Sequence, residues 1–203
     1  MVQVQDRLDL RRRLIEVARG QAGYFMTAQA LAAGYSYSAQ RYHVHRGNWE
    51  QVDRALFRLP EWPIELEDHY VRWFLWSGRR AVISHETALS IYDLGDFNPA
   101  RIQLTVPPGF RMSDPAVVLH PAALRADDIR DRAGYLITTP LRSLLDVAAS
   151  PVEIDHLATA IGDAERTGLV TRRMLRDRSD ELGPEAALAV ERAIGWLESV
   201  REQ

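Results

Sequence analysis

Apolar residues recur at helical spacing from Leu8 through Leu10, Leu14, Ile15, Val17 and Ala18, and the run ends at Gly20 and Gly23. That spacing predicts a first helix. Tyr24, Phe25 and Met26 form a short extended segment, after which Thr27 is placed to N-cap a second helix running to Ala33 and stopped by Gly34. Beyond the Gly34-Tyr35 turn, Ser36 is placed to cap a third helix through Val44 to Arg46, closed by Gly47. Two helices separated by a tight Gly turn suggest a helix-turn-helix. Two β-prone runs follow, one with Trp49, Gln51 and Val52, the other with Leu56, Phe57 and Leu59, around Asp53-Arg54-Ala55; they predict a hairpin. Three helices and then a hairpin describe a winged helix-turn-helix.

Pro60 and Pro63 resist continuation of either strand or helix and mark a boundary. After it, Glu65 to Trp76 reads as a helix stopped at Gly78, and Ala81-Val82-Ile83 as a short apolar run before a helix that starts around Ser84. Arg101 to Val106 alternates polar and apolar, as a strand with one wet face does. Val117-Val118-Leu119 and Tyr135-Leu136-Ile137 read as further strands. Thr139 with Pro140 is a strong helix start, and helices near 152–167, 171–177 and 184–200 complete the chain. The expected fold class is α+β: a winged helix-turn-helix domain over 1–60, then an α+β domain over 61–203 with a small mixed sheet and a helical C-terminus.

Composition narrows the chemistry. All 25 basic residues are Arg, so sites built on a Lys are excluded, and the absence of Cys removes thiolate nucleophiles, disulfides and Cys-bound zinc. The net charge of −3 averages two unlike parts: residues 1–60 hold nine Arg against five acids, net +4, and residues 61–203 hold sixteen against twenty-three, net −7. A small basic module joined to a larger acidic one fits a nucleic-acid reader better than the average does. No signal-like or membrane-spanning apolar run occurs, and the expected location is cytoplasmic with no membrane partner.

The third helix carries the clearest candidate chemistry. With Val44 toward the core, Gln40 falls one turn earlier on the same face, leaving Tyr37, Ser38, Arg41, Tyr42 and His45 outward. Such a face suits a major groove, where Arg forks onto a guanine edge and Ser and Tyr reach bases or phosphates. Arg54 at the hairpin turn, Arg58 after it and Asn48 at its entry are the wing candidates. The amide ends of the helices beginning at Thr27 and Ser36 are placed to hold phosphates, with Arg11, Arg12 and Arg13 adding partial backbone contacts. A solvated polar helix is the competing reading.

Enzymatic constellations are incomplete. His85-Glu86 lacks a second His one turn on, where Leu89 stands, and His43 and His45 cannot share a helix face. Asp93 with Asp96, Asp127-Asp128, and Asp177 with Asp180 lack a phosphate loop to anchor metal chemistry and read as solvated pairs. Thr138 to Asp146 reads either as a well-capped buried helix held by an Arg pair or as a binding segment. No catalytic residue, metal or cofactor is expected.

Four ordered segments resemble the AbiEi family of antitoxins from type IV toxin–antitoxin systems: Gly23–Gly34; Gly34-Tyr35-Ser36 through Gly47-Asn48-Trp49 to Leu56-Phe57-Arg58-Leu59; Ile83-Ser84-His85-Glu86-Thr87-Ala88-Leu89; and Thr138-Thr139-Pro140-Leu141-Arg142-Ser143-Leu144-Leu145-Asp146. The resemblance implies a winged helix that binds double-stranded operator DNA and represses the antitoxin–toxin operon. It also implies a C-terminal domain that neutralises a nucleotidyltransferase-like toxin. Gln40 stands where the family usually has an aliphatic residue, and Ala55 where it has the wing Gly. A single winged helix reads few base pairs, so useful specificity needs a homodimer on DNA or paired sites. The alternative is a non-enzymatic interaction module whose acidic C-terminal domain binds a partner, with DNA contact incidental.

Overall fold

The computed structural model describes the backbone of residues 2–201 and the side chains of residues 7–200. The chain is α+β and divides into two compact units, one formed by residues 1–80 with 131–135, the other by 81–130 with 136–203.

The first unit starts with α1 (Val2–Arg19), β1 (Tyr24–Met26), α2 (Thr27–Ala33) and α3 (Tyr37–His45). Then come β2 (Glu50–Asp53), β3 (Leu56–Arg58) and α4 (Asp68–Trp76). The strands form an antiparallel sheet in the order β1-β3-β2, with Phe25 opposite Phe57 and Gln51 opposite Phe57 from the other side. Leu14, Ala18, Phe25, Ala30, Trp49 and Phe57 share one core with Tyr35. Phe25 meets Trp49 edge-on at 4.8 Å and stacks on Phe57 at 5.6 Å, so the β3 side of the hairpin is fixed by aromatic packing. Gly34 ends α2 at φ 108°, the left-handed cap that the turn into α3 requires, and donates to the Ala30 and Leu31 carbonyls.

The expected boundary at residue 60 was set by Pro60 and Pro63, but α4 belongs to the first unit. Arg58 on β3 is the reason. It is 5% exposed and donates to Asp68 on α4 at 3.2 Å and to the Pro63 carbonyl at 2.7 Å, with its guanidinium 5.4 Å from the Tyr24 ring centre. Just before α4, Glu67 accepts two bonds from Arg132 and one from Tyr135, which places 131–135 in the same unit. Burial alone would raise the Glu67 pKa, yet those hydrogen bonds and the Arg132 charge hold it below the ordinary value.

The second unit holds most of a five-stranded mixed sheet, residues 131, 132 and 135 of its last two strands being counted with the first unit. Its strands are β4 (Val82–Ile83), β5 (Ile102–Val106), β6 (Val117–Pro121), β7 (Ile129–Arg132) and β8 (Tyr135–Thr138), in the order β6-β5-β4-β8-β7. β4 runs antiparallel to β5 and parallel to β8, and β5 parallel to β6. Its helices are α5 (His85–Ile91), α6 (Pro140–Ala148), α7 (Ile154–Arg166), α8 (Arg172–Leu182) and α9 (Pro184–Arg201). They pack around Leu89, Leu144, Leu145, Leu157, Ile161 and Val190. Thr139 caps α6 by accepting from the Arg142 amide, with Pro140 at the first position. Among the described residues no helix is long and apolar enough to cross a membrane.

Candidate nucleic-acid interface

α3 is held at its start by Ser36, whose Oγ accepts from the Ala39 amide at 3.2 Å and lies 2.9 Å from the Ser38 Oγ. Ser36 is thereby engaged as a cap. The helix turns Gln40 inward, where its side-chain amide donates to the Tyr35 carbonyl at 3.1 Å, so this buried polar residue keeps a hydrogen-bond partner. Tyr37, Ser38, Arg41, Tyr42 and His45 are exposed, as the spacing predicts.

A cleft of about 740 Å³ separates α3 from the β2–β3 turn. Tyr37, Arg41 and His45 line its helical wall, Gln51 and Arg54 its hairpin wall, and Val44, Ala55 and Phe57 its floor. Among the described residues no carboxylate lines the cleft. The Arg41 and Arg54 guanidinium groups have no partner among the described residues, whereas the buried Arg58 of the same unit is paired with Asp68. Asp53 bonds its carboxylate to the Arg54 amide at 2.6 Å and so braces the turn rather than the cation. Ala55 is not in the left-handed region, so this turn needs no Gly.

Arg58 and the Thr27 amide are engaged within the fold, and Asn48 and Tyr42, though exposed, lie outside the cleft. Arg58 is buried in the ion pair with Asp68 and is withdrawn from solvent, because β3 is the central strand of its sheet. Thr27 is the first residue of α2 rather than its cap; the Gln29 side chain accepts from Met26, and the Thr27 amide donates to the Ala55 carbonyl at 2.9 Å, so that amide is not available to a phosphate. Its side chain still lines the cleft. Asn48 hydrogen-bonds His43 at 3.1 Å and lines a smaller cleft of about 410 Å³ on another side of α3. Tyr42 lies beside that region too, with Ala39 and His43 and facing α1. Burial lowers the His43 pKa, which keeps that ring neutral near pH 7. Arg11 and Arg12 pair with Glu61 and Asp9, exposed contacts of small energetic weight. Gln51 was not anticipated; its place opposite Phe57 in the hairpin register is the signal for it.

In the second unit His85 and Asp128 are buried, whereas Asp93, Asp96, Asp127, Asp177 and Asp180 are exposed. His85 is 7% exposed, bonds Ser84 at 2.9 Å and stacks on His120 at 3.6 Å. Glu86 accepts from Gln103, whose carbonyl faces His120 at 3.0 Å. Asp128 is engaged by Arg142 and Arg178, and Asp146 by Arg142 at 2.7 Å. Thr138 to Asp146 is thus a capped, buried helix held by an Arg–Asp lattice. Among the described residues no group of three His, Asp or Glu side chains is arranged to hold a metal ion.

No protein-family model matches the chain, and no curated protein does. Among solved structures it is similar to the RV2827C protein from Mycobacterium tuberculosis, with a TM-score of 0.61 and 18% identity over 94% of this chain and 76% of that one. At that identity the likeness carries the fold alone.

Proposed function

We propose that this chain is a sequence-specific DNA-binding transcriptional repressor with antitoxin function. In this reading α1 to α3 and the β2–β3 hairpin act as a winged helix-turn-helix on double-stranded operator DNA. The observation that supports it is the pair of unpartnered guanidinium groups, Arg41 on exposed α3 and Arg54 on the hairpin turn, flanking a cleft without a carboxylate. A nine-residue helix such as α3 fits the roughly 12 Å width of a major groove, where Arg reads guanine bidentately. Arg54 then serves the backbone or minor groove. The antitoxin half, with autoregulation and neutralisation of a nucleotidyltransferase-like toxin, rests on the AbiEi resemblance, whereas a homodimer or paired sites follow from the few base pairs that one winged helix reads.

The test is anisotropy with a duplex from upstream of the chain's own coding region. Arg41→Ala is expected to weaken binding by about 1–3 kcal/mol and relax sequence preference, and Arg54→Ala to reduce the salt slope by about 1. Unchanged affinity and preference in Arg41→Ala overturns the assignment. One feature favours a second reading, partner binding with DNA contact incidental: Leu188 and Val200 on α9 are about half exposed. Full-length Arg41→Ala/Arg54→Ala that still rescues cells from the toxin would show that neutralisation does not use this interface.

A further inference from the structure

We infer that the cleft between α3 and the β2–β3 turn is also a small-molecule site for a planar aromatic carboxylate, which occupies it in competition with DNA. The competition rests on the DNA-binding reading; the site itself does not. Its volume, about 740 Å³, lies within the range of ligand pockets, well beyond what one phosphate fills. Its lining includes the apolar residues Val44, Ala55 and Phe57, and the amide of Gln40, also in the lining, is engaged by the Tyr35 carbonyl. A duplex rim is hydrated and polar, so it satisfies the two cations but leaves those apolar residues without an apolar partner. A fused aromatic ring covers them, and a carboxylate on its edge accepts the paired N–H groups of a guanidinium. The Thr27 hydroxyl, without a partner among the described residues, offers one more polar contact on the wall.

The other clefts lack this combination. In the 410 Å³ cleft beside Trp49, Arg11 is already paired with Glu61. The cleft of about 530 Å³ in the second unit presents Glu86, Asp96 and Glu153 and no Arg. An anion matches the charge of the first, whose Arg41 and Arg54 both lack a partner among the described residues.

The full chain is titrated with 2-naphthoate, and with neutral 2-naphthamide as control, following backbone and methyl NMR shifts. Saturable shifts centred on Val44, Ala55 and Phe57 are expected, with affinity about tenfold weaker for the amide and about tenfold weaker for naphthoate in Arg54→Gln. Naphthoate is also expected to release a labelled duplex over the same concentrations. No saturable shift at millimolar naphthoate, or equal binding of the amide, overturns the site. Binding without duplex release overturns the competition. A chain that binds naphthoate at the cleft but holds no duplex supports the site and removes the DNA-binding reading instead.

Discussion

Two buried side chains in the second unit give opposite pH dependences. His85 is pushed down to about 3, chiefly by burial and then by His120 and Arg142 nearby. It stays neutral in the folded chain while the unfolded chain takes up its proton below about 6.5, so its contribution is present above 6.5 and is lost as pH falls toward 3. Asp146 is raised to about 6, chiefly by burial, with Arg142 opposing and Asp128 adding to the rise. Its contribution is present below about 3.8 and lost as pH rises through 6. His85→Asn, which tolerates the left-handed φ of 53° at that position, should flatten the acid loss by a few kcal/mol. Asp146→Asn should steepen it, and urea midpoints between pH 4 and 7 measure both. In the first unit Arg58→Met leaves Asp68 buried without its cation and is expected to cost about 3–5 kcal/mol in chemical denaturation. Refolded to the same fraction, it should bind DNA as before, because Arg58 does not reach the cleft.

At the level of elements, α3 depends on its first turn. Ser36→Ala removes the acceptor for the Ala39 amide and should cost about 1 kcal/mol, read as faster hydrogen exchange at the start of α3 and weaker DNA binding. A drop in binding without faster exchange would mean that Ser36 acts on DNA directly. The helices of the first unit were readable because their caps and stops are local: Ser36, Gly34 and Gly47 each mark a chain reversal in a few residues. The hairpin was readable for the same reason. What could not be read depended on distant residues. β7, Ile129–Arg132, has one apolar residue among three charged ones and is a strand only because it lies at the edge of the sheet beside β8. Arg58 looked like a wing cation because its partner, Asp68, lies ten residues on, past two prolines that also masked the true extent of the unit. Thr27 was misplaced by one position because Gln29 supplies the cap from within the helix. Within the candidate site, Arg41 and Arg54 were found from helix face and turn position, whereas the cleft that unites them required the fold.

Across the whole molecule the charge division persists when it is drawn along the compact units rather than at residue 60. The first unit carries thirteen Arg against ten acids, net +3, and the second twelve against eighteen, net −6. At physiological salt the screening length is about 8 Å, so net charge adds little to contacts made at close range. At about 0.01 M salt it reaches roughly 30 Å, and net charge then opposes approach to any polyanion whatever its sequence. If the chain binds DNA as proposed, its net charge is expected to weaken non-specific binding at low salt more than specific binding. Asp96, Glu153 and Asp180 are exposed and bear no ion pair among the described residues. Replacing them as Asp96→Asn, Glu153→Gln and Asp180→Asn should raise affinity for an unrelated duplex several-fold at 20 mM salt and by less than twofold at 200 mM. Operator affinity at 200 mM should stay unchanged, so the ratio of specific to non-specific binding falls at low salt alone. Equal gains for both duplexes at 200 mM would mean that these carboxylates lie against DNA, and the acidic unit would then belong to the interface itself.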